Sequence, residues 1–264
     1  MNQLINYTLH LADNTLILAQ RNSEWCAHGP ILEQDIAITN ISLDLIGQSR
    51  NFYQYAAQLI NENTLASSSL DKAYSGSTMA KGEVTEDSLA YIRTEREFKN
   101  CLLVELPNDD WGQTILRQFF FSVYQYLLYE QMQNSTDVQL SAIAEKSIKE
   151  VTYHVRWSSE WVIRLGDGTE ESHQRMLKAI DYLWMYTGEL FIPAPFELIM
   201  NIDPEIVKEK WMTKIKSVFE EATLPVPEGA YMQSGGKEGK HTEHLGFVLA
   251  DLQYLQRTYP GAEW

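Results

Sequence analysis

The chain is poor in cysteine, poor in positive charge and free of long apolar runs. Only Cys26 and Cys101 occur in 264 residues, too few for a disulfide framework. A reducing compartment is the simplest setting, with both thiols expected as buried small hydrophobes. No uninterrupted apolar stretch approaches the length that crosses a bilayer. The start, Met1-Asn2-Gln3-Leu4, lacks the basic and apolar regions of a signal peptide, so a cytoplasmic location is expected. Lys and Arg number 21 against 36 Asp and Glu, a net charge of −15 with a pI near 4.8. Such a surface repels phosphate backbones and anionic lipids, which argues against nucleic-acid and membrane partners. Phosphate-binding loops and nucleophile elbows are missing as well. Gly235-Gly236-Lys237-Glu238-Gly239 is too short a likeness to count.

Strand signals are also missing. There is no alternating pattern, no Asn-Gly hairpin and no repeat of solenoid period. Helical spacing is what remains, and 44% hydrophobic residues suffice for a sizeable core. The predicted fold class is all-α. It is a long-helix bundle with additional C-terminal helices, one domain over residues 1–264. The first helix is expected over about 2–20. The second runs from Pro30 to about Ile60, with Leu32, Ile36, Leu43, Ile46 and Tyr53 approximating one apolar face. Residues 61–84, rich in Asn, Ser and Gly, read as an exposed loop. Thr85 caps a third helix to about Leu106, and a fourth covers Asp110 to Met132. A fifth runs from Asp137 to Gly166, and a sixth from Glu170 to Leu190. Asp203-Pro204 opens a seventh to Ala222, and a last helix spans Thr242 to Thr258.

These helices resemble a di-iron bundle with a broken ligand set. A bundle of that kind takes four carboxylates and two histidines, with two Glu-x-x-His motifs. Residues i and i+3 share a helix face, so such a motif grips a metal from one turn. Here Glu95 is followed at that distance by Phe98, which has no lone pair to give, and His154 is preceded by Val151. The fourth helix offers Ser122 mid-stripe, and its only carboxylate after Trp111 is Glu130 at the far end. On the second helix Asn40, Asp44, Gly47 and Asn51 form a stripe. It reads as a polar edge or, with Asp44 turned inward, as a carboxylate needing a partner. Glu150 and His154 stand four apart and can share a metal, though such pairs more often bond to each other or pack. His241-Thr242-Glu243-His244 could hold zinc in part, but no third ligand is near. Capping of a helix N-terminus is the preferred reading. The degenerate core positions are therefore Asp44, Glu95, Phe98, Ser122, Glu150 and His154. Asp44, Glu95, Glu150 and His154 are expected to converge in the bundle centre.

Several blocks carry a family likeness. They include Glu24-Trp25-Cys26, Leu43-Asp44-Leu45-Ile46-Gly47-Gln48, Leu103-Val104-Glu105 with Pro107-Asn108, and Ile148-Lys149-Glu150 with Tyr153-His154. The most specific are His241-Thr242-Glu243-His244-Leu245-Gly246 and Gln253-Tyr254-Leu255-Gln256-Arg257. Over almost its whole length the chain resembles the PaaC family, subunits of the bacterial phenylacetyl-CoA epoxidase. The resemblance implies a ferritin-like fold and a place in a multicomponent monooxygenase of aerobic phenylacetate breakdown. It also implies a related catalytic subunit, PaaA, that holds the di-iron site and binds the CoA thioester. A flavin and iron–sulfur reductase would supply electrons. PaaC is the structural partner, so the resemblance transfers no catalytic, cofactor-binding or metal residue to this chain.

The leading expectation is a non-catalytic scaffold that forms a homodimer alone and a hetero-complex with the catalytic relative. The second and fifth helices are the expected contact surfaces. On the fifth, Ile148, Val151, Val155 and Val162 form one stripe, and Trp157 and Trp161 another. The alternative is a free-standing metal-dependent oxidoreductase using Asp44, Glu95, Glu150 and His154. A CoA-thioester binding module is a third reading, with no basic cluster to support it.

Overall fold

A computed structural model describes residues 2–66, 83–260 and 262. Every regular element among them is helical. Four long helices form the bundle: α1 (Asn2–Ser23), α2 (Leu32–Ala66), α5 (Trp111–Met132) and α6 (Val138–Gly166). Short helices α3 (Glu86–Tyr91) and α4 (Leu102–Glu105) lie between α2 and α5. Helices α7 (Glu170–Leu183), α8 (Pro204–Glu221) and α9 (Glu243–Thr258) complete the chain. No described helix is long and apolar enough to cross a membrane.

Side-chain pairs fix the bundle register. Tyr55 donates to Asp137 at 2.6 Å, Gln48 to Glu150 at 2.8 Å, and Asp44 meets His154 at 3.0 Å. Numbers rise along α2 as they fall along α6, so the two are antiparallel. Tyr7 against the Met132 sulfur and Asn22 against Gln118 set α1 antiparallel to α5. Helix α1 is buried nearly all round, from Ile5 through Ala19. A helix with that environment must satisfy each polar side chain inside the protein. Outside the four helices an aromatic cluster joins α5 to α8: Phe120, Trp184, Trp211 and Phe219 pack with ring centroids 5.6–6.5 Å apart. Trp211 donates its indole N–H to the Phe120 carbonyl at 2.9 Å.

Several boundaries differ from the sequence reading. Helix α2 continues past Ile60 to Ala66; most of the proposed loop, residues 67–82, lies outside the described residues. The side chain of Asn61 ties the two flanks together, donating to the Val84 carbonyl at 2.8 Å and accepting from its N–H at 3.0 Å. The apolar face assigned to α2 points outward, since Leu32, Ile36, Leu43 and Ile46 are exposed. The core takes Ile38, Ile41, Leu45, Phe52 and Ala56 instead, with Tyr53 buried among them. The sixth predicted helix ends at Leu183 and gives way to 3-10 turns, with Gly188 pressed against Met232 where a Cβ would clash. Cys101 is buried as expected, but Cys26 is exposed.

The largest difference is the predicted third helix, which stops at Tyr91. Thr85 and Ser88 form a capping box at its start, as the sequence suggests. After Ile92, however, the Arg93 guanidinium takes the Leu89 carbonyl at 2.5 Å, and Thr94 and Glu97 cap a separate 3-10 turn. The backbone amides of Lys99, Cys101 and Leu102 then donate to Asp13 (2.8 Å), Asn14 (2.8 Å) and Glu189 (2.7 Å). Side-chain acceptors from α1 and from the turn after α7 thus replace the hydrogen bonds that a continuous helix would make. Asp13 also pairs with both terminal nitrogens of Arg93 and accepts from Tyr53 at 2.5 Å, all in the interior.

Breaking a buried pair by removing one partner leaves an uncompensated charge, at a cost of about 3–5 kcal/mol. Asp13→Ala is therefore expected to lower unfolding free energy by about that amount, read from the midpoint of a urea titration. A loss near zero would show that Asp13 does not hold the segment.

Candidate functional site

The interior between α1, α2, α5 and α6 is polar, and amides and hydroxyls make up much of that polarity. From α1, Asn22 donates to Gln118 at 2.6 Å, and Gln118 donates to Ser122 at 2.7 Å. From α2, Gln48 accepts from Gln125 at 3.0 Å and from Tyr129 at 3.3 Å, and it donates to Glu150. Gln48, Gln118, Ser122, Gln125 and Tyr129 are all buried. Amides and hydroxyls both donate and accept, so they chain into one another without a counter-ion. A di-iron pair asks instead for anionic oxygens. Among the described residues no group of three or more His, Cys, Asp and Glu side chains is placed to hold a metal. Ser122 ends the run from Asn22 through Gln118, as an acceptor.

Of the four groups expected to converge, three lie together on α2 and α6. His154 is fully buried and bonds Asp44 at 3.0 Å; the Asp44 side chain is 35% exposed, at the bundle's edge. Glu150 is one turn before His154 and is held by Gln48. Glu95 is elsewhere: it sits in the exposed 3-10 turn Glu95–Glu97, near Gly246 of α9. Phe98 is buried, yet it lies on the extended stretch after that turn, beneath the Arg93 guanidinium at 4.3 Å from its ring centre. Both positions leave the bundle because the third helix is interrupted. The pairing of Glu95 with Phe98 at helical spacing does not exist in the fold. Asn40 and Gly47 are exposed on α2. Three buried atoms of the interior have no hydrogen-bond partner among the described residues: His154 Nδ1, Ser147 Oγ and Gln125 Oε1.

The His241-to-His244 block does a structural job. His241 Nδ1 meets Glu105 at 2.8 Å, and its Nε2 faces the Phe98 carbonyl at 3.0 Å. The other oxygen of Glu105 accepts the Thr242 N–H at 2.6 Å, and Asn100 donates to Glu105 at 2.8 Å. Thr242 caps α9 by accepting from the His244 N–H. Both nitrogens of His241 are therefore occupied, and neither is left for zinc. Just before it, Gly235 donates its N–H to buried Glu189 at 2.8 Å. Gly236 is packed so tightly that a Cβ would run into the Asn100 carbonyl. The glycine-rich run is thus a packing element that brings α9 against segment 92–105.

Two further buried charges escaped the sequence reading. Arg117 is fully buried and makes no ion pair among the described residues. It donates to the Leu106 carbonyl and to Asn108 (both 2.5 Å) and reaches Asn22 at 3.4 Å. Burial, reinforced by nearby Arg21, lowers its pKa to about 9. Glu189 is raised above its ordinary value by burial, with the amides of Leu102 and Gly235 and the Lys237 charge pulling the other way. A signal for the α1 groups was present: His10, Asp13 and Asn14 stand among Leu9, Leu11, Ala12, Leu16 and Ile17. Glu105 and Glu189 carried no comparable signal. Among the surface depressions, a groove of about 430 Å³ runs between α6 and α8. Its basic Arg156 and Lys214 stand beside Glu160 and Glu221, so it offers no excess positive charge to a nucleotide diphosphate.

Comparison with known proteins gives the chain its relatives. The sequence model of the family described as "Phenylacetic acid catabolic protein" matches residues 1–264. The chain is 45% identical over 269 residues to a 1,2-phenylacetyl-CoA epoxidase subunit of Escherichia coli (strain K12), covering 100% of both chains.

Two stability tests follow from the geometry. Glu95→Ala removes an exposed side chain and is expected to shift unfolding free energy by less than about 0.5 kcal/mol. A loss of several times that size would return Glu95 to the core. For His241, burial lowers the pKa, but the hydrogen bond and charge of Glu105 outweigh it, and the net shift is upward. The clamp's contribution is thus complete below the unfolded value of about 6.5 and fades as pH rises through the folded value. His241→Gln should cost most below about pH 6.5, and the gap from wild type should narrow at alkaline pH. A gap that widens with pH in paired urea titrations would refute the assignment.

Proposed function

This chain belongs to the phenylacetic acid catabolic protein family, and from that premise we propose that it is a structural subunit of a phenylacetyl-CoA epoxidase. The observation that carries the reading is the bundle interior. Gln48, Gln118, Ser122 and Gln125 occupy the space where a catalytic member of this bundle class would need carboxylates. An amide is a weak neutral donor to iron and cannot balance its charge, whereas it completes a hydrogen-bonded chain well. The interior therefore favours rigidity over metal binding.

In this reading the di-iron centre and the CoA thioester belong to a related catalytic subunit, PaaA, working in the cytoplasm with the remaining epoxidase subunits. The oxygen chemistry is the partner's. What this chain contributes is a stiff surface: antiparallel long helices cross-linked by buried polar pairs, with the 92–105 segment and α9 locked onto one side. Alone it associates as a homodimer, and with PaaA it forms a hetero-complex. The rival metalloenzyme reading loses Glu95 to the exposed turn, which leaves Asp44, Glu150 and His154, one histidine and two carboxylates.

The test is reconstitution. The purified chain with a competent reductase should not oxygenate phenylacetyl-CoA, and adding the catalytic subunit should restore turnover. Protein from iron-supplemented cells should carry no stoichiometric iron. Turnover by this chain alone, or iron near about two atoms per chain, would overturn the scaffold reading.

A further inference from the structure

Helix α2 carries a second, outward pattern that its own fold does not use. Glu33, Ile36, Asn40, Leu43, Gly47, Arg50 and Gln54 are all exposed, and they step by three and four alternately. That spacing is the heptad seam of a helix that packs against another helix. At its centre Ile36 and Leu43 are 51% and 59% exposed. Gly47 stands inside a 35-residue helix, and a Cβ there would meet nothing within 4 Å. A glycine in a helix interior is destabilising relative to alanine, so nothing within the described chain accounts for it. A close neighbour from outside would account for it.

We propose that this seam packs on the same seam of a second copy, antiparallel, about a twofold axis crossing α2 between Ile41 and Ser42. The proposal rests on the self-association reading above and gives it a surface. The register is self-complementary. The axis sets Glu33 against the second copy's Arg50, Ile36 against its Gly47, and Asn40 against its Leu43. Each apolar knob meets a small or polar position, and each acid meets a base. An isologous contact requires this kind of match. Arg50 is available for it: its side chain is 68% exposed and reaches Glu86 only at 3.6 Å. Charge favours the same choice. The chain carries −15, so two copies repel over most of their surfaces. Along the seam, Glu33 and Arg50 cancel and the residues between them are uncharged. From Glu33 to Arg50 the seam extends about 26 Å at 1.5 Å per residue, long enough for the centre of a dimer interface.

Sedimentation velocity on the full chain at micromolar concentration tests the proposal. Wild type should sediment as a dimer. Leu43→Asp places an acid at the seam and should raise the dimer dissociation constant more than about tenfold, with an unchanged circular dichroism spectrum because Leu43 is exposed. Gly47→Leu should weaken the dimer similarly. Glu33→Arg should weaken it, and Glu33→Arg combined with Arg50→Glu should restore it, because the swap re-forms both pairs. A wild-type monomer, or a dimer indifferent to Leu43→Asp, would overturn the proposal. So would a wild-type monomer whose Leu43→Asp variant fails to co-elute with the catalytic subunit, since the seam would then belong to that partner. A monomer that still supports epoxidation removes the seam and leaves the scaffold reading standing. A Leu43-dependent dimer that does not support it has the opposite consequence.

Discussion

Three buried carboxylates that end on backbone amides hold the non-bundle part of this protein in place. Asp13 takes the Lys99 N–H, Glu189 takes those of Leu102 and Gly235, and Glu105 takes that of Thr242. Each also meets a cation or a polar side chain: Arg93 at Asp13, Lys237 near Glu189, and His241 at Glu105. A buried carboxylate is costly alone and stabilising only when its oxygens are satisfied. The arrangement therefore specifies one conformation for segment 92–105. A shift of that segment would strand several charges at once.

The two halves of the interior divide the chemistry. Charged groups concentrate where irregular backbone must be held, between α1, the 92–105 segment and α9. Among the four long helices a run of neutral amides and hydroxyls lies beside His154 and Glu150 of α6. A catalytic bundle would show the reverse, with its carboxylates in the middle of the helices. Asp44 and His154 keep an acid–imidazole pair near that middle, but the pair opens to the surface, and the one carboxylate beside it, Glu150, is held by the amide of Gln48. Helix α2 joins these levels. Its inner face supplies Gln48 to the amide chain, and its outer face exposes Ile36 and Leu43 between Glu33 and Arg50, whose charges cancel, on a strongly acidic protein.

The legible part of the fold was the part governed by local rules. Asp110, Asp137, Asp203 and Thr242 each accept from an amide of the following turn, as their positions suggested. The all-α class and the long helices followed from period alone. The outer face of α2 was misassigned because Leu32, Ile36, Leu43 and Ile46 satisfy helical spacing as well as the true core set does. Periodicity marks an apolar stripe without saying what covers it. The third helix was overextended for a related reason. Residues 92–101 contain neither proline nor glycine to mark a stop, and the acceptors that compete for their amides come from Asp13, Asn14 and Glu189, distant in sequence.

The sequence by itself determined the helical class, most helix ends and the scarcity of anionic ligands on α5, because propensity, capping and residue identity are local properties. It also carried blocks specific enough to indicate the family. Only the tertiary structure decided which carboxylates are buried, where Glu95 lies and what the His241 block does. Burial and hydrogen-bond partnership depend on residues brought together from α1, the turn after α7 and the start of α9, and no local pattern encodes that meeting.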